Sequence, residues 1–285
     1  MDTTPVEQPR PPRVTALIVS RNCAGQLQTC LEALDGSVDR DRLEIVVIDN
    51  GSEDKSADIP HNFPSVQSMR LPKNFGWTKA ANIGMRTAKG DAILFLPPNV
   101  IVEPDTISRL ATRLDDSESL GAVYPFVDRW YRLPDRDALA QACRTGELPN
   151  PQPTPTDAAE VAVDYAPGAP MLVRKIFLRG MNYFDERFGE SWSDLELCWQ
   201  LRNAGKAILV LPQVRVQYGP ECEREQDAVH LADRKLGAAA YLGKHFGSAA
   251  GVKFRVSAAL GALGKAQFSE LSAIVSGQKI DGTHL

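Results

Sequence analysis

Polar residues that could bind a ligand stand directly behind three short apolar runs of the sequence. Residues 20–22 (Ser-Arg-Asn) follow the run 14–19, Asp49 and the turn-forming residues 50–54 follow the run 43–48, and a Pro-Pro-Asn triplet ending at Asn99 follows the run 92–96. Their hydroxyl, carboxylate and amide groups can donate or accept several hydrogen bonds. If these segments lie together in the fold, they form a binding site for a small polar molecule.

The elements between these segments predict that they do lie together. Short apolar runs alternate with amphipathic helical patterns, which is typical of a mostly parallel sheet with helices on both faces. Ligands of such sheets collect at the carboxyl ends of the strands. A further strand is predicted at residues 121–124. One predicted helix buries Leu27, Cys30, Leu31 and Leu34, and another, opening at Pro104, buries Ile107, Leu110, Ala111 and Leu114. We therefore predict an α/β fold with its site at one edge of the sheet.

The composition limits the class of protein. The chain has 285 residues, of which 43% are hydrophobic and 24% charged, as in soluble globular proteins. A net charge of −4 does not favour non-specific nucleic-acid binding, and we expect no nucleic-acid partner. The five cysteines form no C-x-x-C pair or Cys/His cluster, so neither a disulfide framework nor a structural zinc site is predicted. A reducing cytoplasm fits this pattern best.

The chain divides into three predicted segments. Residues 1–12, rich in proline, read as a disordered leader, residues 13–233 as the α/β domain, and residues 234–285 as a helical extension. No apolar run approaches the roughly 18 residues that a membrane-spanning helix needs. Within the domain, residues 126–160 look like an inserted long loop of the kind that often forms a lid or binding loop.

Common phosphate-binding and hydrolytic motifs are missing from the sequence. No G-x-G-x-x-G follows a strand, no complete Walker loop is found, and H-E-x-x-H and G-x-S-x-G are absent. A Rossmann dehydrogenase and a zinc hydrolase are therefore not indicated.

An ordered set of other segments resembles family 2 glycosyltransferases, the inverting nucleotide-sugar enzymes of the GT-A fold, and among them rhamnosyltransferases. The matching segments are residues 16–22, the strand and D-N-G-S turn at 45–52, and an N-x-G-x-x-x-A-x-N-x-G segment at 74–84. Taken singly, the D-N-G-S segment is also an ordinary turn, and Asn74 and Gly76 could simply begin a helix. The resemblance implies nucleotide-sugar binding by Ser20, Asn22, Asp49, Gly51, Ser52, Asn74, Gly76, Asn82 and Asn99.

The second half of the domain continues the resemblance. Residues 168–174, 184–188 and 192–205 look like the family's acceptor-side strand, its F-D-E-x-F segment and its catalytic helix. The resemblance makes Asp194 the catalytic base and puts Gly168, Trp192 and Arg202 on the acceptor and sugar side. Asp194 could also only cap a helix, and the helix N-terminus lowers its pKa unless burial raises the pKa again.

Three positions depart from the family pattern. The acid-containing triplet that helps to hold a divalent ion in metal-dependent members is Pro97-Pro98-Asn99, the glutamate before the base is Ser193, and the expected histidine is Tyr218. Hard cations prefer carboxylates, so Asn99 is only a weak ligand for Mg²⁺ or Mn²⁺. The departures fit either a transferase that stabilises its leaving group with cationic side chains or a catalytically inactive nucleotide-sugar-binding or scaffold protein.

Charged and aromatic residues near the predicted loops suggest further roles. The candidate diphosphate-binding cations are Lys73, Lys79, Arg129, Arg132 and Arg187, and the candidate sugar-stacking rings are Trp77, Trp130, Tyr131 and Trp192. Residues 234–265 carry six basic residues and no acid, which suggests peripheral association with an anionic membrane.

The predicted reaction is inverting transfer of a sugar from a UDP- or dTDP-type donor to a hydroxyl of a glycan or lipid-linked acceptor. Such a reaction belongs to polysaccharide biosynthesis for the cell envelope. We expect it in the cytoplasm or at the inner face of the membrane.

Overall fold

The structure is a computed structural model that describes residues 13–145, 148–189, 191–222 and 227–285. The predicted leader, residues 1–12, lies outside the described residues. The strands, in chain order, are β1 (Val14–Ser20), β2 (Leu43–Asp49), β3 (Val66–Arg70), β4 (Ala92–Phe95), β5 (Val100–Val102), β6 (Leu120–Tyr124), β7 (Arg129–Trp130), β8 (Gln152–Pro153), β9 (Val161–Val163), β10 (Met171–Arg174), β11 (Ala207–Val210) and β12 (Val216–Tyr218). The α-helices are α1 (Ala24–Asp35), α2 (Trp77–Thr87), α3 (Thr106–Asp115), α4 (Arg136–Thr145), α5 (Lys175–Gly180), α6 (Ser193–Asn203), α7 (Ala228–Phe246), α8 (Ser248–Gly264) and α9 (Phe268–Ser276).

The described chain builds one eight-stranded sheet in the order β3-β2-β1-β4-β10-β6-β11-β9. Neighbouring strands are parallel except around β10 and β9, which run against the others. The six parallel strands therefore end along one side of the sheet, which we call the carboxyl edge. This arrangement confirms the predicted mostly parallel α/β fold.

Apolar packing on both faces of the sheet holds the strands in place. α1 and α3 cover one face with the predicted residues, since Leu27, Leu31 and Leu110 are all buried in one cluster with β1 and β2. The opposite face packs α2 and α6 together with α7. Strands buried on both sides read as continuous apolar runs, which explains why β1, β2, β4 and β6 could be found from the sequence.

The C-terminal helices pack onto the domain itself. α7 begins at Ala228, so the predicted boundary between residues 233 and 234 falls inside this helix. Tyr241 of α7 is buried against Phe188 with ring centroids 5.5 Å apart. A Cβ added at Gly237 would lie 2.1 Å from the Phe188 carbonyl oxygen, so only glycine permits this close approach. In the described parts of the chain, no helix is both long and apolar enough to cross a bilayer.

The segment 126–160 is more ordered than the long loop we expected. It contains helix α4 and the short antiparallel pair β7–β8. Tyr131, which follows β7, pairs with Tyr165 through two backbone hydrogen bonds of 2.7 and 3.1 Å. The segment is therefore fixed against the strand that leads into the predicted acceptor side.

Candidate active site

The first two predicted loops meet at the carboxyl edge because β1 and β2 are adjacent and in register at Ser20 and Asp49. The backbone N–H of Asn50 donates to the Ser20 carbonyl at 2.8 Å. Asn22, in a left-handed conformation, accepts from the Glu53 N–H at 2.8 Å, and its own N–H donates to Ser52 Oγ at 3.1 Å. The loop after β1 and the turn after β2 thus form one hydrogen-bonded unit.

Asp49 is buried and stabilises its own turn. Its carboxylate accepts from the Ser52 N–H at 3.1 Å and from the Ser52 hydroxyl. Arg70, at the end of β3, places its Nε 3.7 Å from Asp49 Oδ2. Gly51 has φ of +73°, and a Cβ there would meet the Lys73 carbonyl carbon at 2.4 Å. Sequence analysis missed Arg70 because β3 is a mostly exposed edge strand without an apolar run.

Asn74 connects this turn to the C-terminal helices. Its Oδ1 accepts from Asn50 Nδ2 and from the Gly76 N–H, both at 2.8 Å, while its Nδ2 donates to His230 Nε2 at 3.1 Å. His230 Nδ1 in turn donates to Asp227 Oδ1 at 2.8 Å. Nothing in the sequence signals this contact, because Asn74 and His230 are 156 residues apart.

Ser20 and Asn82 lie inside the protein. The Ser20 hydroxyl is fully buried and lies 3.3 Å from Cys23 Sγ. Asn82 Nδ2 donates to the Phe184 carbonyl at 2.9 Å, and its Oδ1 accepts from the Phe184 N–H at 3.0 Å. Their side chains therefore hold neighbouring loops in place, and Asn82 fixes the predicted F-D-E-x-F segment onto α2.

Two of the candidate cations contact the C-terminal segment. Lys73 Nζ donates to the Asp281 carbonyl at 2.8 Å, and Lys79 pairs with the Asp281 carboxylate at 2.9 Å. Both ammonium groups lie over the Phe75 ring, at 5.5 and 5.1 Å from its centroid. Partial burial opposes ionisation of Asp281, but hydrogen bonds from Thr283 and Lys79 lower its pKa. Asp281 therefore engages both lysines, Lys79 through its carboxylate and Lys73 through its backbone carbonyl.

The three arginine candidates differ in their contacts. Arg187 pairs with Asp185 through several charge-assisted hydrogen bonds, the shortest 2.7 Å long. Arg129 and Arg132 are exposed, and within the described ranges neither makes a side-chain hydrogen bond or ion pair. Their guanidinium groups are therefore available to an anion without breaking an internal contact.

The replaced residues Asn99 and Tyr218 are neighbours. Tyr218 pairs with Val100 across β12 and β5, and the Gly219 N–H donates to the Asn99 carbonyl at 2.8 Å. Burial and the nearby Asp128 charge raise the pKa of Tyr218. Ser193 lies elsewhere, buried on α6 with its Oγ 2.6 Å from Thr78 Oγ1.

The chemistry of these side chains does not fit a tightly bound divalent ion. Asn99 and Tyr218 offer one amide oxygen and one neutral phenol, and the Asn99 amide nitrogen already donates to the Gly219 carbonyl at 3.3 Å. Among the residues described, no three or more His, Cys, Asp or Glu side chains form a metal-binding group. Mg²⁺ and Mn²⁺ prefer carboxylate ligands, and neither Asn99 nor Tyr218 supplies one.

Asp194 lies in the first turn of α6, partly buried, with its carboxylate held by three hydrogen bonds. Oδ2 accepts from the Tyr165 hydroxyl at 2.9 Å and from the Gly168 N–H at 3.3 Å, and Oδ1 accepts from the Leu195 N–H at 2.8 Å. Burial raises the pKa of Asp194 and outweighs these hydrogen bonds, which lower it. A carboxylate oriented in this way and made more basic by burial can accept a proton from a hydroxyl group.

Of the three predicted acceptor-side residues, two lie beside Asp194. Gly168 donates to it directly, and Trp192, with φ of +77°, immediately precedes α6 and donates from Nε1 to the Arg234 carbonyl at 3.4 Å. Arg202 lies about 12 Å further along the helix axis. It pairs with Asp164 at 3.1 Å, so the structure does not bring Arg202 to the carboxylate.

Tyr165 is a site residue that sequence analysis missed. It follows β9, and its buried hydroxyl donates to Asp194 across the interior. Burial and the Asp194 charge raise the pKa of Tyr165, so the phenol stays protonated and donates. A tyrosine that follows a short strand has no sequence pattern around it that predicts such a contact.

Known structures share this fold at low sequence identity. A crystal structure of GalNAc-T7 with UDP, GalNAc and Mn²⁺ superposes with a TM-score of 0.60 at 14% identity, over 80% of this chain and 47% of that one. A crystal structure of S. aureus TarS residues 1–349 in complex with UDP-GlcNAc gives a TM-score of 0.57 at 14% identity, over 85% of this chain and 70% of that one. These similarities identify the fold as GT-A.

Sequence comparison gives the family. The pre-mycofactocin glycosyltransferase of Mycobacterium tuberculosis is 27% identical over 223 residues, which are 74% of this chain and 45% of that protein. The chain thus spans about half the length of this relative. The sequence model described as "Glycosyl transferase family 2" matches residues 15–176, which include the loops after β1, β2 and β4 and end before Asp194. The chain therefore belongs to glycosyl transferase family 2.

Proposed function

We propose that this protein is an inverting glycosyltransferase that moves a sugar from a nucleotide diphosphate donor to a hydroxyl of a glycan or lipid-linked acceptor. The observation that supports it most is the Asp194 carboxylate, which burial makes more basic and which Tyr165 and Gly168 orient. The nucleotide in both structural neighbours is UDP, which favours a UDP donor over the dTDP alternative.

In the proposed reaction, Asp194 accepts the proton of the acceptor hydroxyl while that oxygen attacks the anomeric carbon from the face opposite the diphosphate. A new carbon–oxygen bond forms, and the bond between the anomeric carbon and the diphosphate oxygen breaks. The electron pair leaves with the nucleoside diphosphate, so the anomeric configuration inverts. General-base assistance of this kind contributes about 10²–10⁴-fold to the rate.

The donor would bind at the loops after β1, β2 and β4. Asp49 and Asn74 would hold the nucleoside together with the backbone around Gly51, Ser52 and Gly76. The side chains of Ser20, Asn22 and Asn82 would hold these loops in position. Asn99 would border the diphosphate. Since the protein side chains do not fit a divalent ion, we assign stabilisation of the leaving diphosphate to cationic side chains, first Arg129 and Arg132. The enzyme would act in the cytoplasm or at the inner face of the membrane, in building cell-envelope polysaccharide.

The experiment that tests this proposal separates donor binding from transfer. Calorimetric titration with UDP, dTDP and GDP, with and without Mn²⁺, identifies the nucleotide, and a panel of sugar donors is then assayed for transfer. Asp194→Asn should keep nucleotide affinity while transfer falls about 10²–10⁴-fold. Asp137→Asn, at an exposed surface position, is the matched control. Unchanged transfer by Asp194→Asn would refute the assignment of the base.

A non-catalytic nucleotide-sugar-binding or scaffold protein is the second candidate, favoured by the presence of Asn99 and Tyr218 where metal-dependent members have an acid and a histidine. It predicts that the unmodified protein binds a nucleotide, that no donor is transferred or hydrolysed, and that Asp194→Asn behaves like the unmodified protein. A single donor turned over at a rate that depends on Asp194 would exclude it.

A further inference from the structure

Exposed apolar side chains concentrate on the C-terminal helices. Of the twelve large hydrophobic side chains that are exposed in the described residues, eight follow His245. Four of them, Val252, Val256, Leu260 and Leu263, lie on α8 and are 62%, 52%, 62% and 50% exposed. We call these four residues the α8 ridge.

The α8 ridge forms a continuous stripe on one side of the helix. Its residues are spaced four, four and three apart, which aligns them on one face over about 17 Å of helix. The other face of α8 is buried through Gly251, Phe254 and Ala262, against α7 and α9. The helix is therefore already anchored to the domain, and the ridge points away from it.

The charges around the ridge have one sign. Lys253 and Lys265 are exposed beside it and at its end, and α8 contains no acid. The two acids of residues 234–285 are engaged elsewhere, Glu270 with Lys235 and Asp281 with Lys79.

The structure also revises the role of the basic run 234–265. Lys244 pairs with Glu196 of the domain, Lys235 pairs with Glu270 of α9, and Arg255 donates to the carbonyls of Ile274 and Val275 at the end of α9. These three residues hold the helices together. Of the three remaining basic residues of the run, Lys253 and Lys265 flank the α8 ridge.

We propose that α8 lies in the interface of an anionic lipid bilayer, with the α8 ridge among the acyl chains and Lys253 and Lys265 at the headgroups. An apolar stripe with basic flanks is the pattern of helices that lie in a membrane surface. A second copy docked on the same ridge would bring the lysines of both copies together without an opposing acid. This inference concerns binding alone and stands independently of sugar transfer.

Flotation of the full chain with vesicles tests the proposal. We expect the protein to float with vesicles containing phosphatidylglycerol and much less with pure phosphatidylcholine. Leu260→Glu should weaken binding at least about tenfold, since one buried leucine contributes about that factor and the added charge opposes insertion. The double variant Lys253→Gln, Lys265→Gln should weaken it about thirtyfold on anionic vesicles.

Ile176→Glu is the matched control, since Ile176 is 70% exposed on α5, outside the α8 ridge, and should leave flotation unchanged. Thermal unfolding of each variant checks that it is folded. Failure of the unmodified protein to float with anionic vesicles would overturn the proposal. So would a dimer in solution that Leu260→Glu dissociates, because the ridge would then be a subunit interface.

Discussion

At the scale of a single residue, two opposing effects act on the pKa of Asp194. Burial favours its protonated form, whereas the Tyr165 hydroxyl and two backbone N–H groups favour the carboxylate. The result is a carboxyl group with a pKa above its ordinary value. A base needs this compromise, because it must be ionised at the working pH and still basic enough to take a proton.

Tyr165→Phe should therefore change the pH dependence of transfer. Without the phenol donor the Asp194 carboxylate loses stabilisation, and its pKa rises further. As the pH is lowered, activity should therefore be lost at a higher pH than in the unmodified protein. We expect the acid limb of the kcat/KM profile to move up by about one pH unit. Tyr183→Phe, a partly buried tyrosine that contacts Arg86, is the control. An acid limb that does not move would mean that Tyr165 has only a packing role.

At the scale of elements, the sequence predicted those strands and buried helix faces that depend on the residues of one segment alone. The predicted strands β1, β2, β4 and β6 and the buried faces of α1 and α3 are present, because an apolar run or a helical period reports burial directly. β3 was missed because it is exposed. The loops behind the strands met where expected because parallel strands end at one edge.

The contacts that complete the site could not be predicted, because they join distant elements. Asn74 to His230, Tyr165 to Asp194 and Lys79 to Asp281 each depend on how whole helices dock. The α8 ridge could not be predicted for a related reason. A segment that is apolar and basic does not show which of its residues face the core. Arg202 was assigned to the acceptor side by motif position, but its place in the last turn of α6 separates it from Asp194.

The docked C-terminal segment, residues 277–285, makes a prediction at this scale. Asp281→Asn removes the carboxylate that holds Lys79 and keeps the backbone carbonyl that accepts from Lys73. We expect nucleoside diphosphate to bind severalfold more tightly, since the ligand no longer competes with an internal anion. Calorimetric titration of UDP measures this, with Asp137→Asn as an exposed control. Weaker binding by Asp281→Asn would show that this segment helps to hold the ligand.

At the scale of the whole molecule, buried ion pairs join the C-terminal helices to the domain. Lys279 pairs with Asp233 at 2.9 Å, with both side chains almost inaccessible, and also donates to the Arg187 carbonyl. Glu196, two residues after Asp194, binds Lys244 and His245 of α7. The site and the C-terminal helices are thus parts of one cooperative structure.

Lys279→Met should lower the free energy of unfolding by about 3–5 kcal/mol, because it removes the cation that pairs with the buried Asp233 carboxylate. Urea unfolding measures this change. Lys89→Met, at an exposed position, should change stability by less than about 0.5 kcal/mol. The double variant Asp233→Asn, Lys279→Met should recover much of the loss. If it does not, Lys279 stabilises the fold chiefly through the Arg187 carbonyl.

The contact between Lys79 and Asp281 has a consequence for biosynthesis. The two residues are 202 positions apart, and no nearer acid pairs with Lys79 in the described structure. During translation, β1, β2 and α2 can form early, but the loop they carry cannot reach its final arrangement until Asp281 has left the ribosome. Closing so long a stretch of chain is slow. The nascent protein therefore passes through a period in which its sheet is largely built but the segment around Lys79 is not yet held by Asp281.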